Sequence, residues 1–251
     1  MPASVVLPRL AWGSPTASRR VLLVHGLGSS AALMWRFGTA LADAGWYAVA
    51  VDLRGHGAAP RTLDYTLEAY AADVAATRAD EGPWDAVIAH SLGGAAATLA
   101  SVADPAWTPR LVLVDPAIHL LPSHRAVIDR SQREAFADPS PEAVREQHPL
   151  WHPQDVELKA DAARTAGRWA VEQTLEQNPE WDVRATTARL SVPTHILGAD
   201  PAVYSIFTGA TAAEVLAGNP AITMSVVPGA GHSPHRDRPA ETIAALLEVL
   251  A

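Results

Sequence analysis

Cysteine is absent from the 251 residues, which excludes disulfides and thiolate metal sites and leaves the redox compartment open. A basic surplus is lacking too, since 19 Lys and Arg stand against 27 Asp and Glu, a formal net charge of -8. With so little positive charge to neutralise phosphates, neither nucleic acid nor an anionic membrane is an expected partner; a small-molecule substrate is. Long apolar runs are missing as well: LVLVDPAIHLL is interrupted by Asp115 and Pro116, so no membrane span is expected. The opening MPASVVLPRLAW has no basic stretch leading into an apolar core and a cleavage site, so no signal peptide is expected and the default location is cytoplasmic. Oligomeric state is left open.

What is present is a hydrophobic content of 49%, enough to bury one large α/β core at this length. Short apolar runs recur at Val21 (VLLV), Ala48 (AVAV), Ala86 (AVIA), Leu111 (LVLV), Thr194 (THIL) and Met224 (MSVV), the pattern of parallel strands buried on both faces. Helix-like segments separate them: Leu33 to Ala44, Leu67 to Ala79, Gly93 to Val102, Thr211 to Leu216 and Ala240 to Leu250. The alternation predicts a mostly parallel, doubly wound sheet. Between Pro116 and Trp181 no strand-like run occurs and Pro, Glu, Arg and Trp are frequent. This predicts a helical cap over 116–181 inserted into a core of 1–115 and 182–251.

Chemistry in such sheets gathers at the carboxyl ends of strands. After AVIA comes Ser91, in WDAVIAHSLGG, a serine between the small residues Ala89 and Gly93 at a strand-to-helix turn. That is a nucleophile elbow, which makes a weakly nucleophilic hydroxyl usable by exposing it beside a base. VLLV leads into His25-Gly26-Leu27-Gly28-Ser29-Ser30, where glycines let backbone N–H groups converge on an oxyanion. THIL leads to Gly198-Ala199-Asp200, and MSVV to Pro228-Gly229-Ala230-Gly231-His232. In chain order these supply nucleophile, acid and base.

The order Ser91, Asp200, His232, the His25-Gly26-Leu27-Gly28 turn, Asp52-Leu53-Arg54-Gly55-His56-Gly57 and the Gly-Ala-Gly-His turn resemble the α/β-hydrolase family over nearly the whole chain. Two departures stand out: Ala89 occupies an elbow position where glycine is commoner, and Ala58-Ala59-Pro60 follow the Arg54-Gly55-His56-Gly57 turn where a serine is frequent. The resemblance implies a serine hydrolase in which His232 takes the Ser91 proton, Asp200 orients the imidazole, and the backbone N–H groups of Leu27 and Leu92 hold the oxyanion. It also implies that His25 shapes its loop rather than transferring protons. A serine nucleophile argues against epoxide or halide chemistry, which uses an aspartate at the elbow. Carboxylic esters and lactones are the expected substrates, taken to be neutral and fairly apolar because no charged clamp is evident; thioester, amide and C–C bond cleavage remain alternatives. The mechanism calls for no cofactor and no metal, and its base should make activity rise from mildly acidic to alkaline pH.

Other readings stay open beside this one. Asp115 also ends a strand, in LVLVDPA, and is the alternative acid. Leu33, Met34 and Trp35, with Trp151, Trp169 and Trp181 of the cap, are candidates for the pocket wall and equally for packing. His119, His124, His148 and His152 invite a metal reading, but Pro149 and Pro153 break helical continuity around the last two and no metalloprotease pattern appears. Gly26-Leu27-Gly28-Ser29-Ser30-Ala31, with Asp52 ending the next strand, also fits a dinucleotide fingerprint, which would leave Ser91 and His232 unexplained. A non-catalytic binding module on the same fold is the remaining rival.

Overall fold

The structure is a computed structural model that describes residues 2–79 and 82–251. In chain order its elements are β1 (Arg9–Trp12), β2 (Arg19–Val24), α1 (Trp35–Asp43), β3 (Trp46–Val51), α2 (Leu67–Ala76), β4 (Ala86–His90), α3 (Leu92–Ala103) and β5 (Leu111–Val114). Four helices then follow without a strand: α4 (Pro122–Ala137), α5 (Pro141–Gln147), α6 (Pro153–Thr165) and α7 (Arg168–Glu176). The chain closes with α8 (Arg184–Thr187), β6 (Thr194–Gly198), α9 (Gly209–Gly218), β7 (Ile222–Val226), α10 (Pro234–Asp237) and α11 (Pro239–Leu250).

The strands form one sheet in the order β1-β3-β2-β4-β5-β6-β7, parallel except for β1. Side chains alternate across it, so each strand feeds two cores. Leu22, Val24, Val87, Ala89, Leu111 and Leu113 pack on the face covered by α2 and α3, and Val21, Leu23, Ala86, Ile88, Val112 and Val114 on the face covered by α1 and α11. Burial on both sides is why these strands read as continuous apolar runs. β1, an edge strand, is largely exposed, carries no such run and had no sequence signal.

Strand order reverses around β2, whose neighbours are β3 and β4. The crevice outside the carboxyl ends at such a reversal is where open α/β sheets bind ligands. Here that crevice lies between the turn after β2 and the turn after β4. Helices α4 to α7 lie between β5 and β6 in sequence. The chain leaves and re-enters the sheet layer through a paired neck, with Leu120 N donating to Trp181 O at 3.0 Å and Val183 N to Ile118 O at 2.8 Å. Prolines at the first turns of α4, α5 and α6 start these helices with φ already set. Pro149 falls between α5 and α6 and Pro153 begins α6, so His148 and His152 share no helix. No helix among the described residues is long and apolar enough to cross a membrane.

Candidate active site

Ser91 caps α3 with φ 52 and ψ -118, a positive-φ conformation that L-residues adopt only when their surroundings enforce it. Enforcement comes from both sides. Ser91 N donates to Val114 O on β5 at 3.1 Å, and Ala117 N donates to Ser91 O at 3.0 Å. The close approach of α3 to the turn after β2 requires glycine at Gly93, where a Cβ would stand 2.5 Å from His25 O. Ala89, in contrast, is fully buried and its methyl group packs in the core.

The Ser91 hydroxyl lies 3.0 Å from His232 Nε2, and His232 Nδ1 lies 2.6 Å from Asp115 Oδ2. The carboxylate hydrogen-bonded to His232 is therefore Asp115, the alternative acid of the sequence reading, and not Asp200 as first expected. Asp115 directly follows β5, the strand beside β4, at φ 37 and with no exposed surface. Its carboxylate accepts from Ser205 Oγ at 2.6 Å and from Ile206 N at 3.1 Å. Burial alone would push its pKa up, but the bond to His232, that imidazole's charge and the other donors leave it below the ordinary carboxylate value. Asp200 lies beyond β6 and turns its oxygens to Gly229 N at 2.7 Å and Ala202 N at 2.9 Å. Its task is to fix the turn that leads into His232.

The turn after β2 is held by two histidines. His25 Nδ1 donates to Gly26 O at 2.7 Å while its Nε2 accepts from Leu53 N at 3.1 Å; His56 Nδ1 donates to Arg54 O at 3.0 Å while its Nε2 accepts from Gly28 N at 3.0 Å. Each ring must be neutral to do both. Burial accordingly lowers His25 to about 4 and His56 to about 3. His25 thus shapes its loop, as expected. The Asp52 carboxylate that a dinucleotide reading needs accepts instead from Ala31 N at 2.8 Å and Ala58 N at 3.0 Å. Arg54 pairs with Asp73 in a buried ion pair at 2.6 Å, anchoring the Asp52–Gly57 turn.

A cavity of about 710 Å³ opens over Ser91 and His232. Leu27 and Leu92 line it beside the serine, and Leu92, first residue of α3, has an N–H in the helix's unpaired first turn. Of the expected wall residues, Trp151 and Trp181 line the cavity. Leu33 and Met34 are instead fully buried, Met34 against the α1 and α11 face, Trp35 donates to Asp155 Oδ1 at 2.7 Å, and Trp169 is 48% exposed against Tyr65. Their apolar spacing reflected core or surface packing. No charged clamp was evident in the sequence, yet Lys159, Arg236, Asp237 and Arg238 all line the cavity.

Sequence reasoning passed over three further residues. His90 donates from Nε2 to His232 O at 2.7 Å, its Nδ1 is buried without a partner among the described residues, and its ring lies 4.8 Å from that of His232. Burial, then repulsion from His232 and Arg236, holds His90 well below the usual histidine range. Tyr204 stands edge-on to His232 at 6.2 Å, its buried hydroxyl without a partner among the described residues. Lys159 carried a signal of its own, as the only lysine in the sequence.

Residues 21–246 match the model of a family described as the alpha/beta hydrolase family. Among curated proteins, the chain is 34% identical over 117 residues to lipase LipV of Mycobacterium tuberculosis, which is 46% of this chain and 44% of that protein. It is 36% identical over 104 residues to the putative carbamate hydrolase RutD of Variovorax paradoxus, 40% and 39% of the two chains. The matched stretches thus span less than half of either relative. Among solved structures, an N-formylmaleamic acid deformylase from Pseudomonas putida S16 superposes with a TM-score of 0.81 at 26% identity, covering 96% of each chain. The fold is also shared with an esterase from Thermogutta terrifontis, at a TM-score of 0.74 and 22% identity over 97% of this chain and 92% of that one.

Proposed function

The chain belongs to the alpha/beta hydrolase family, and from that premise we propose that it is a serine hydrolase of acyl bonds, acting through a Ser91–His232–Asp115 triad. The observation that carries this reading is the continuous hydrogen-bonded line from Ser91 Oγ to the buried Asp115 carboxylate. His232 Nε2 takes the Ser91 proton as Oγ attacks the substrate carbonyl, and Asp115 fixes the tautomer and stabilises the imidazolium. The oxyanion is held by the N–H groups of Leu27 and Leu92, a type of contact worth roughly a hundred-fold or more in turnover. His232 then hands the proton to the leaving group, and a water deprotonated by the same imidazole cleaves the acyl-enzyme. In this reading residues 116–181 act as a cap on a core of 1–115 and 182–251, since α4, α5, α6 and α7 all contribute cavity-lining residues.

Esters and lactones are the favoured acyl bonds, in keeping with the likeness to a lipase. An amide is the second reading, because the deformylase relative matches across 96% of the chain. The test is intact-mass analysis after exposure to a fluorophosphonate, with wild type and Ser91→Ala both shown to be folded. One adduct on wild type and none on the variant is the expected result. Folded wild type that stays unmodified would point to a binding module instead.

A further inference from the structure

One corner of the cavity is charged in a way that the triad does not use. Lys159, on α6, donates from Nζ to Gly28 O at 2.8 Å, on the turn facing Ser91. Arg236, on α10, is only 4% exposed, donates from Nε to His235 Nε2 at 3.2 Å and lies 5.0 Å over the ring of Trp151. Neither cation has a carboxylate within ion-pair distance among the described residues.

The acids Asp155 and Asp237 act on Arg236 through their charge without reaching ion-pair distance, their oxygens being held by other donors, and neither acts on Lys159. Asp155 accepts from Trp35 Nε1 at 2.7 Å on one oxygen and from Arg36 at 2.7 Å and 2.8 Å on the other. Asp237 accepts from Trp151 Nε1 at 2.6 Å and Gly231 N at 2.8 Å. Buried cations are ordinarily paired, because an uncompensated charge in a low-dielectric site is costly. Ser29, next in the chain to Gly28, adds a buried hydroxyl without a partner among the described residues. A line of contacts joins these groups, since Trp151 under Arg236 stacks at 3.7 Å on His148, and His148 and Lys159 together line a small recess of about 30 Å³ beside the main cavity. Leu120, Ile128, Leu175 and Trp181 form an apolar stretch of the wall, which elsewhere includes Gln132, Gln147, Asp237 and Arg238. Burial, then repulsion from Arg236, lowers the Lys159 ammonium to about 8; a bound anion would raise it again.

We infer that this corner is an anion subsite, and that the substrate carries a carboxylate, separated from the scissile acyl bond by an apolar spacer, which Lys159 and Arg236 receive. This rests on the serine-hydrolase reading and narrows it from acyl compounds in general to monoanionic ones.

The experiment compares mono-4-nitrophenyl succinate with its methyl ester, which has the same chain and no charge. Wild type should show a kcat/KM at least roughly tenfold higher for the anion, and that ratio should fall by roughly tenfold or more in Lys159→Met and in Arg236→Gln. A wild-type ratio at or below one, or a ratio unchanged in both folded variants, overturns the subsite. Binding is read separately from turnover: millimolar succinate should raise the Tm of wild type, and less that of each variant, and no shift in wild type also overturns it. If neither ester is cleaved and fluorophosphonate leaves Ser91 unmodified, the hydrolase reading fails, and the succinate shift alone decides the subsite.

Discussion

Helices α3 and α4 both contribute residues to the cavity and are built on opposite terms. α3, under Ser91, buries Leu92 through Thr98 and also Ala100 and Ser101, all small or apolar apart from two hydroxyls. α4 has no buried residue along its length, yet Val127, Ile128, Ser131 and Gln132 line the cavity. The floor is therefore set by dense packing, and the groups that must stay within hydrogen-bond reach belong to it. The roof gains little from packing, so its residues are free to answer to the ligand. In the proposed reading, chemistry and selectivity are thus supplied by parts of different stability.

The largest test of that contrast is within the floor itself. Asp115→Asn should lower turnover roughly a thousand- to ten-thousand-fold, because it removes the anion that orients His232. Asp200→Asn should cost no more than about threefold. Steady-state kinetics on a chromogenic ester check both, and the reverse ranking would move the acid back to Asp200. Next in size is packing. Leu113→Ala, fully buried on β5, should cost about 2–5 kcal/mol in urea unfolding, whereas Ile128→Ala, half-buried on α4, should cost under about 1 kcal/mol while shifting KM. Equal losses would mean that the roof is as firmly packed as the floor.

The smallest effect concerns acid. His25 and His56 are neutral in the folded chain, with values near 4 and 3, and protonate near about 6.5 when unfolded. Between those limits the unfolded chain binds more protons, so stability falls as pH drops below about 6.5 and levels off below the folded values. Each ring contributes at most about 1.4 kcal/mol per pH unit. Urea midpoints at pH 7 and pH 5 should show a smaller loss in His56→Gln than in wild type; an equal loss would trace the acid sensitivity to other groups.

How much of this was legible depended on burial. Strands covered on both faces announced themselves as apolar runs, and the elbow and the final histidine stood at their ends. β1 was invisible because one exposed edge strand needs no pattern. The acid was ambiguous because Asp115 and Asp200 both follow strands, and nothing local says which one the chain at Ser205 to Phe207 will wrap. Of the six wall candidates, only Trp151 and Trp181 reach the cavity, since tryptophan and leucine serve core and pocket alike. Lys159 and Arg236 come to line one cavity only through tertiary structure, from a helix of the insertion and one beyond β7, so no spacing could have paired them.

The paired neck at Ile118, Leu120, Trp181 and Val183 has a consequence for how such a protein can change. Both ends of the helical insertion are stitched side by side where they leave the sheet, so the excursion behaves as a detachable module on a fixed socket. Because closing a longer loop adds only a logarithmic entropy term, the module can be lengthened, shortened or exchanged while the strand register and the serine relay stay as they are. If the insertion selects the substrate as proposed, a new preference would require rewriting only one continuous stretch of the gene.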